Sequence, residues 1–189
     1  MSMKILKENK EKVTIINKSK FIGIVQKIYT KDEINETLNK IREQYSDATH
    51  ICYAYILDNE KKYSDNGEPT GTAGLPILNV LEKNNLNYVL AIVIRYFGGI
   101  KLGANGLVRA YSSSISEIVN NNIKEIEYGY LIKISEDYKK TNDIDYLLKD
   151  SIIMKKEFND RITIEVIVKK DDLAKLTNIN YEIIKETIL

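Results

Sequence analysis

Apolar residues recur along this chain with two periods, and the switches between them lay out the elements. "VTIINKSKFIGIVQKI" (13–28) carries apolar positions on both sides of "NKSK" and predicts two strands joined by a turn. In "TKDEINETLNKIREQYS" (30–46) the period lengthens. Ile34, Leu38, Ile41 and Tyr45 fall on one helical face, and Thr30 with Glu33 forms a capping-box start. "HICYAYILD" (50–58) predicts a strand and "NEKKYS" (59–64) a polar turn. "LPILNVLEKNN" (75–85) predicts a helix with Pro76 in its first turn and Leu75, Leu78 and Leu81 on a shared face. "YVLAIVIRYF" (88–97) has no polar alternation before Arg95, the pattern of a strand buried on both faces. In "NGLVRAYSSSISEIVNNN" (105–122) the helical period returns, with Leu107, Tyr111, Ile115, Ile118 and Val119 inward. "IKEIEYGYLIKIS" (123–135) predicts one further strand.

From about residue 127 the order becomes strand, helix, strand, strand, short helix, strand. That is the βαββαβ arrangement of ferredoxin-like domains. The expected architecture is therefore α+β in two domains, residues 1–126 and 127–189.

Two loops interrupt the pattern. "SDNGEPTGTAG" (64–74) and "RYFGGIKLGANGLVRAY" (95–111) hold seven of the nine glycines, and both prolines lie between Gly67 and Gly106. Glycine admits backbone angles and close approaches that a side chain blocks. Each loop precedes a helix, whose free N-terminal amides favour an anion. Arg95, Lys101 and Arg109 would supply positive charge around such a nest, and Asp65 and Glu68 an acidic wall. The spacing matches neither the P-loop nor the dinucleotide fingerprint. Tight strand-to-helix packing, with Arg and Asp fixing the loops, would call for the same residues. His50 and Cys52, two apart on one strand, share a face, but no second pair of ligands accompanies them, so they read as packed structure and no metal or cofactor is expected.

Composition sets limits. Hydrophobic content of 43% with 29% charged residues belongs to a globular chain, and the longest apolar run, "VLAIVI", is far too short to span a bilayer. A single cysteine excludes an internal disulfide framework and fits a cytoplasmic setting, and no membrane association is expected. The formal net charge is only +1. Residues 1–28, with seven Lys against two Glu, are nonetheless basic, which is compatible with nucleic-acid contact.

"DATHICYAY", "SDNGEPTGTAGLPIL" and "VIRYFGGIKLGANGLVRAY" closely resemble the signature segments of the YigZ/IMPACT family, in the family's order. The resemblance implies a first domain like the second domain of ribosomal small-subunit protein five. It implies a second domain like the ferredoxin-like fifth domain of elongation factor G. Eukaryotic members are associated with translation control under starvation, restraining a kinase by competing for its activator. The family's acidic loop falls on Asp65, Gly67, Glu68, Pro69, Gly71, Thr72 and Gly74, and its basic loop on Arg95, Gly98, Gly99, Lys101, Gly103, Gly106, Leu107, Arg109 and Ala110. His50, Cys52 and Tyr53 also match.

The functional expectation is a non-catalytic cytoplasmic protein that binds RNA or a ribosome-associated partner and modulates translation. Its expected site is Asp65, Glu68 and Thr72 on one loop, Arg95, Gly98, Gly99, Lys101, Gly103 and Arg109 on the other, and His50 beside them. Two alternatives stand. One is an enzyme holding a small phosphorylated or carboxylated ligand between the loops, with Asp65 or Glu68 as acid/base. The other is a protein–protein module docking through the same polar loops.

Overall fold

The computed structural model of the chain describes residues 2–189 and resolves two units, one ending at Glu125 and the other running from Ile126 to Leu189. In the first, a short β1 (Lys4–Leu6) precedes a hairpin of β2 (Lys10–Ile16) and β3 (Ser19–Lys27). Asn17 and Lys18 close the hairpin with φ of 45° and 65°, since a two-residue turn of the correct twist needs positive angles at both centres. Helix α1 (Lys31–Gln44) starts where the capping pattern places it. Thr30 Oγ1 accepts the Glu33 N–H at 3.2 Å, and Glu33 Oε2 accepts the Tyr29 N–H at 2.7 Å.

Strand β4 (His50–Leu57) is followed by β5 (Glu60–Ser64), so "NEKKYS" is more than a turn. The reversal is confined to Asp58 and Asn59, and the rest pairs antiparallel with β4 at the edge of the sheet. Its lysines hide the strand from a hydropathy reading, and charge is how an edge strand avoids pairing with other chains. Helix α2 (Gly74–Lys83), strand β6 (Val89–Tyr96) and helix α3 (Gly103–Val119) complete the unit. Leu75 departs from the expected face: it is exposed, and Ile77, Leu78 and Leu81 form the buried stripe with Gly74.

The five strands run in the order β2-β3-β6-β4-β5, every neighbour antiparallel. β6 is central, and its side chains alternate between two cores. Val89, Ala91 and Val93 join the cluster that includes Ile77, Leu81, Tyr111 and Ile115 of α2 and α3, while Leu90, Ile92 and Ile94 join Ile34 and Leu38 of α1. Helices therefore cover both faces, which is why β6 reads as a continuous apolar run. Truncating Ile92, which is fully buried, to alanine would cost about 2–5 kcal/mol.

The expected strand over 123–135 is two. β7 (Ile123–Glu125) pairs with β1 in the first unit, and β8 (Tyr128–Glu136) belongs to the second. There α4 (Thr141–Leu147), β9 (Ile152–Phe158), β10 (Ile162–Lys169) and β11 (Tyr181–Ile188) follow. The sheet order β11-β8-β10-β9, all antiparallel, is that of a ferredoxin-like domain. The expected second helix is instead a 3₁₀ segment, Lys170–Lys175. Apolar residues in it and just after it recur every third position, Leu173, Leu176 and Ile179, and the bonds Leu176 N–H to Leu173 O and Ile179 N–H to Leu176 O keep that three-residue period. No helix among the described residues is long and apolar enough to cross a membrane.

Candidate functional site

Register builds the site. β4 pairs with β6 so that His50 stands opposite Arg95, and β3 pairs with β6 so that Phe21 stands opposite Arg95 on the other side. Arg95 continues the alternation of Val93 and so points toward α2 and α3. There the first glycine-rich loop delivers Glu68. Arg95 Nη1 lies 2.5 Å from Glu68 Oε1, and the residues are only 5% and 9% exposed. The Tyr111 hydroxyl of α3 donates to the same oxygen at 2.8 Å. The rings of Phe21 and Phe97 lie 5.4 and 5.5 Å from the guanidinium carbon. Arg95 Nε has no hydrogen-bond partner.

Glu68 Oε2 is different. The ring nitrogen His50 Nε2 lies 3.8 Å from it, beyond hydrogen-bond reach. His50 Nδ1 lies 2.8 Å from the Asn66 carbonyl oxygen, which can only accept, so Nδ1 carries the proton. Nε2 is therefore the ring nitrogen left to face Glu68 Oε2.

Both atoms belong to residues lining a cleft of about 430 Å³, whose walls also include Arg95, Phe97, Lys101 and Leu107. The two glycine-rich loops thus meet, with Glu68 and Lys101 in one cavity. Gly103 and Ala104, the first residues of α3, also line it, and α3 has neither a side-chain cap nor an acid in its first turn. Gly103 takes φ +70°, which starts the helix two residues before the apolar pattern predicts.

Other expected site residues serve elsewhere. Asp65 turns inward: its carboxylate accepts the N–H groups of Gly71, Ala73 and Gly74 at 2.8, 3.0 and 2.8 Å and so caps α2 from outside the helix. Thr72 Oγ1 donates to the Pro69 carbonyl within its own loop. Gly98 provides close approach, not a ligand amide. A Cβ there would come within 2.0 Å of the Lys18 carbonyl carbon, and its N–H donates to Ser19 Oγ at 3.1 Å. Gly99 has φ +85° and shapes the loop outside the cleft lining. Arg109 lines a separate depression with Asn17 and Gly106.

Cys52 is fully buried, and its thiol donates to the Asp65 carbonyl at 2.9 Å. Burial pushes that thiol up to about 12, so it does not serve as a thiolate nucleophile. The Tyr111 phenol is raised further, first by burial, and stays protonated as a donor. Sequence reasoning misses Tyr111 as a polar partner, because the apolar spacing of α3 shows it only as core. Among the described residues no three His, Cys, Asp or Glu side chains are grouped to hold a metal ion.

Similarity to known proteins centres on this unit. Residues 17–119 match the Impact N-terminal domain. The chain is 39% identical over 186 residues to the IMPACT family member YvyE of Bacillus subtilis, covering 92% of this chain and 86% of that protein. It is 36% identical over 107 residues to the family member YigZ of Escherichia coli, covering 54% of this chain and 52% of the other. A crystal structure of "an hypothetical protein" aligns over 98% of both chains with a TM-score of 0.63 at 24% identity, a likeness of fold. The matched span of 17–119 contains His50, Glu68, Arg95 and Tyr111 together with both glycine-rich loops, and the chain belongs to the IMPACT family.

Proposed function

We propose that the protein binds RNA, free or carried by a ribosome-associated partner, and thereby modulates translation. The observation that carries this reading is the end of the first unit around the second glycine-rich loop. Lys18 lies in the turn that packs on Gly98, Lys20 sits over the Tyr96 ring, Lys101 is in the loop, and Arg109 follows it on α3. All four are exposed, and none forms an ion pair among the described residues. By contrast Lys12, Lys31 and Lys61 of the same unit each pair with a glutamate. Phe97, 46% exposed, adds a ring on which a base can stack. Clustered unpaired cations beside an exposed ring suit a flexible single-stranded polyanion. Membership of the IMPACT family supports the setting in translation control.

The test is fluorescence anisotropy with single-stranded and ribosomal RNA fragments across a salt series. The K101A/R109A double variant should bind more weakly, with the salt slope reduced by about one for each phosphate that is no longer neutralised. Absence of binding at low salt, or an unchanged slope in the variant, would sink the reading.

A further inference from the structure

The cleft holds an arrangement that general RNA affinity does not need. Glu68 has a side chain only 4% exposed, yet one of its two carboxylate oxygens is without a hydrogen bond. The other is committed to Arg95 and Tyr111, which prevents the carboxylate from turning away. His50, fixed by Asn66 through Nδ1, holds Nε2 3.8 Å from that oxygen, and in its neutral form the ring offers this nitrogen as a second acceptor. Among the described residues Arg95 Nε is the one fully buried side-chain polar atom without a partner, so Glu68 Oε2 opens to the cleft, where a guest with two adjacent N–H groups would reach it together with His50 Nε2.

We infer that the cleft takes one unstacked guanine nucleotide of a bound RNA strand. The base's donor edge meets Glu68 Oε2 and His50 Nε2. Its ring stacks against Phe97, and its phosphate lies at Lys101 and the uncapped start of α3. This deepens the RNA-binding reading and rests on it. Among the four RNA bases only guanine offers two neighbouring donors, N1–H and the 2-amino group, on its pairing edge. Adenine and cytosine set an acceptor beside their amino group, and uracil flanks its single N–H with carbonyls, so each would bring an acceptor against an acceptor. Readout of splayed-out bases through this edge, with aromatic stacking, is how single-stranded RNA is recognised. A volume of about 430 Å³ admits one nucleotide and excludes a duplex. The positive groups stand with the cleft lining at Lys101 and α3, so base and phosphate have separate seats.

The experiment compares short single-stranded RNAs identical except for one central residue: guanine, inosine, adenine or uracil. Guanine should bind roughly tenfold more tightly than inosine, which lacks only the 2-amino donor, and more tightly still than adenine or uracil. His50→Ala and Glu68→Gln should shrink the guanine-to-inosine ratio toward one, while Lys101→Ala weakens all four RNAs alike. The inosine comparison uses the unaltered protein, so it stands even where Glu68→Gln fails to fold. Equal affinity for the four RNAs, or a preference for another base, overturns the inference and leaves RNA binding intact. Binding of none overturns both.

Discussion

Helices α2 and α3 both begin at a glycine-rich loop, and both expose backbone amides at their first turn, yet the molecule treats them differently. At α2 the anion comes from the protein itself, because Asp65 reaches across the loop and accepts three amide hydrogens. At α3 no side chain caps the first turn, no acid lies in it, and its opening residues line the cleft beside Lys101. Similar loop compositions therefore mark one closed site and one open site. Whether a helix start is available to a guest depends on which carboxylate has already arrived there. Glu68, three residues beyond Asp65, is divided in the same way, one oxygen spent on structure and one left facing the cleft.

Substitutions can break this contrast. The largest loss is expected for Arg95→Ala or Glu68→Ala, each of which strands a buried charge and should cost the first unit about 3–5 kcal/mol in denaturant unfolding. Removing both partners together should cost less than the sum of the two. Asp65→Ala comes next, at about 2 kcal/mol, as α2 loses its cap. Gly103→Ala should cost about 1–2 kcal/mol, because a side chain at φ +70° is strained. Lys101→Ala should change stability by less than about 0.5 kcal/mol while lowering RNA affinity, so at α3 stability and binding separate.

The smallest effect concerns pH. Cys52 ordinarily ionises near 9 and is pushed up to about 12 in the fold, chiefly by burial. The native state therefore holds this proton more firmly than the unfolded chain does. The thiol's contribution is whole below pH 9 and falls as pH rises from there toward 12. Cys52→Ala should flatten the alkaline limb of a stability–pH curve, and the native thiol should resist alkylation until the unit opens.

Much of the fold is legible because periodicity reports burial directly. The uninterrupted run of β6, the stripe of α3 and the capping pattern of α1 need only local rules. β5 is illegible because an edge strand carries its charges outward and gains its shape from pairing with β4. The last helix of the second unit misleads because a three-residue period over so few residues resembles the start of a helical one.

For the site, the chain's own order determined where glycine permits tight loops, which residue types stand near them and which family those segments belong to. Tertiary structure alone decided the roles of the acids. Asp65 and Glu68 look equivalent in sequence, and only strand register and helix packing bring one against amides and the other against Arg95, Tyr111 and His50. Hydrogen bonds and ion pairs depend on angles and distances of a few ångströms between residues as remote as Glu68 and Tyr111, 43 positions apart. No local pattern carries that information.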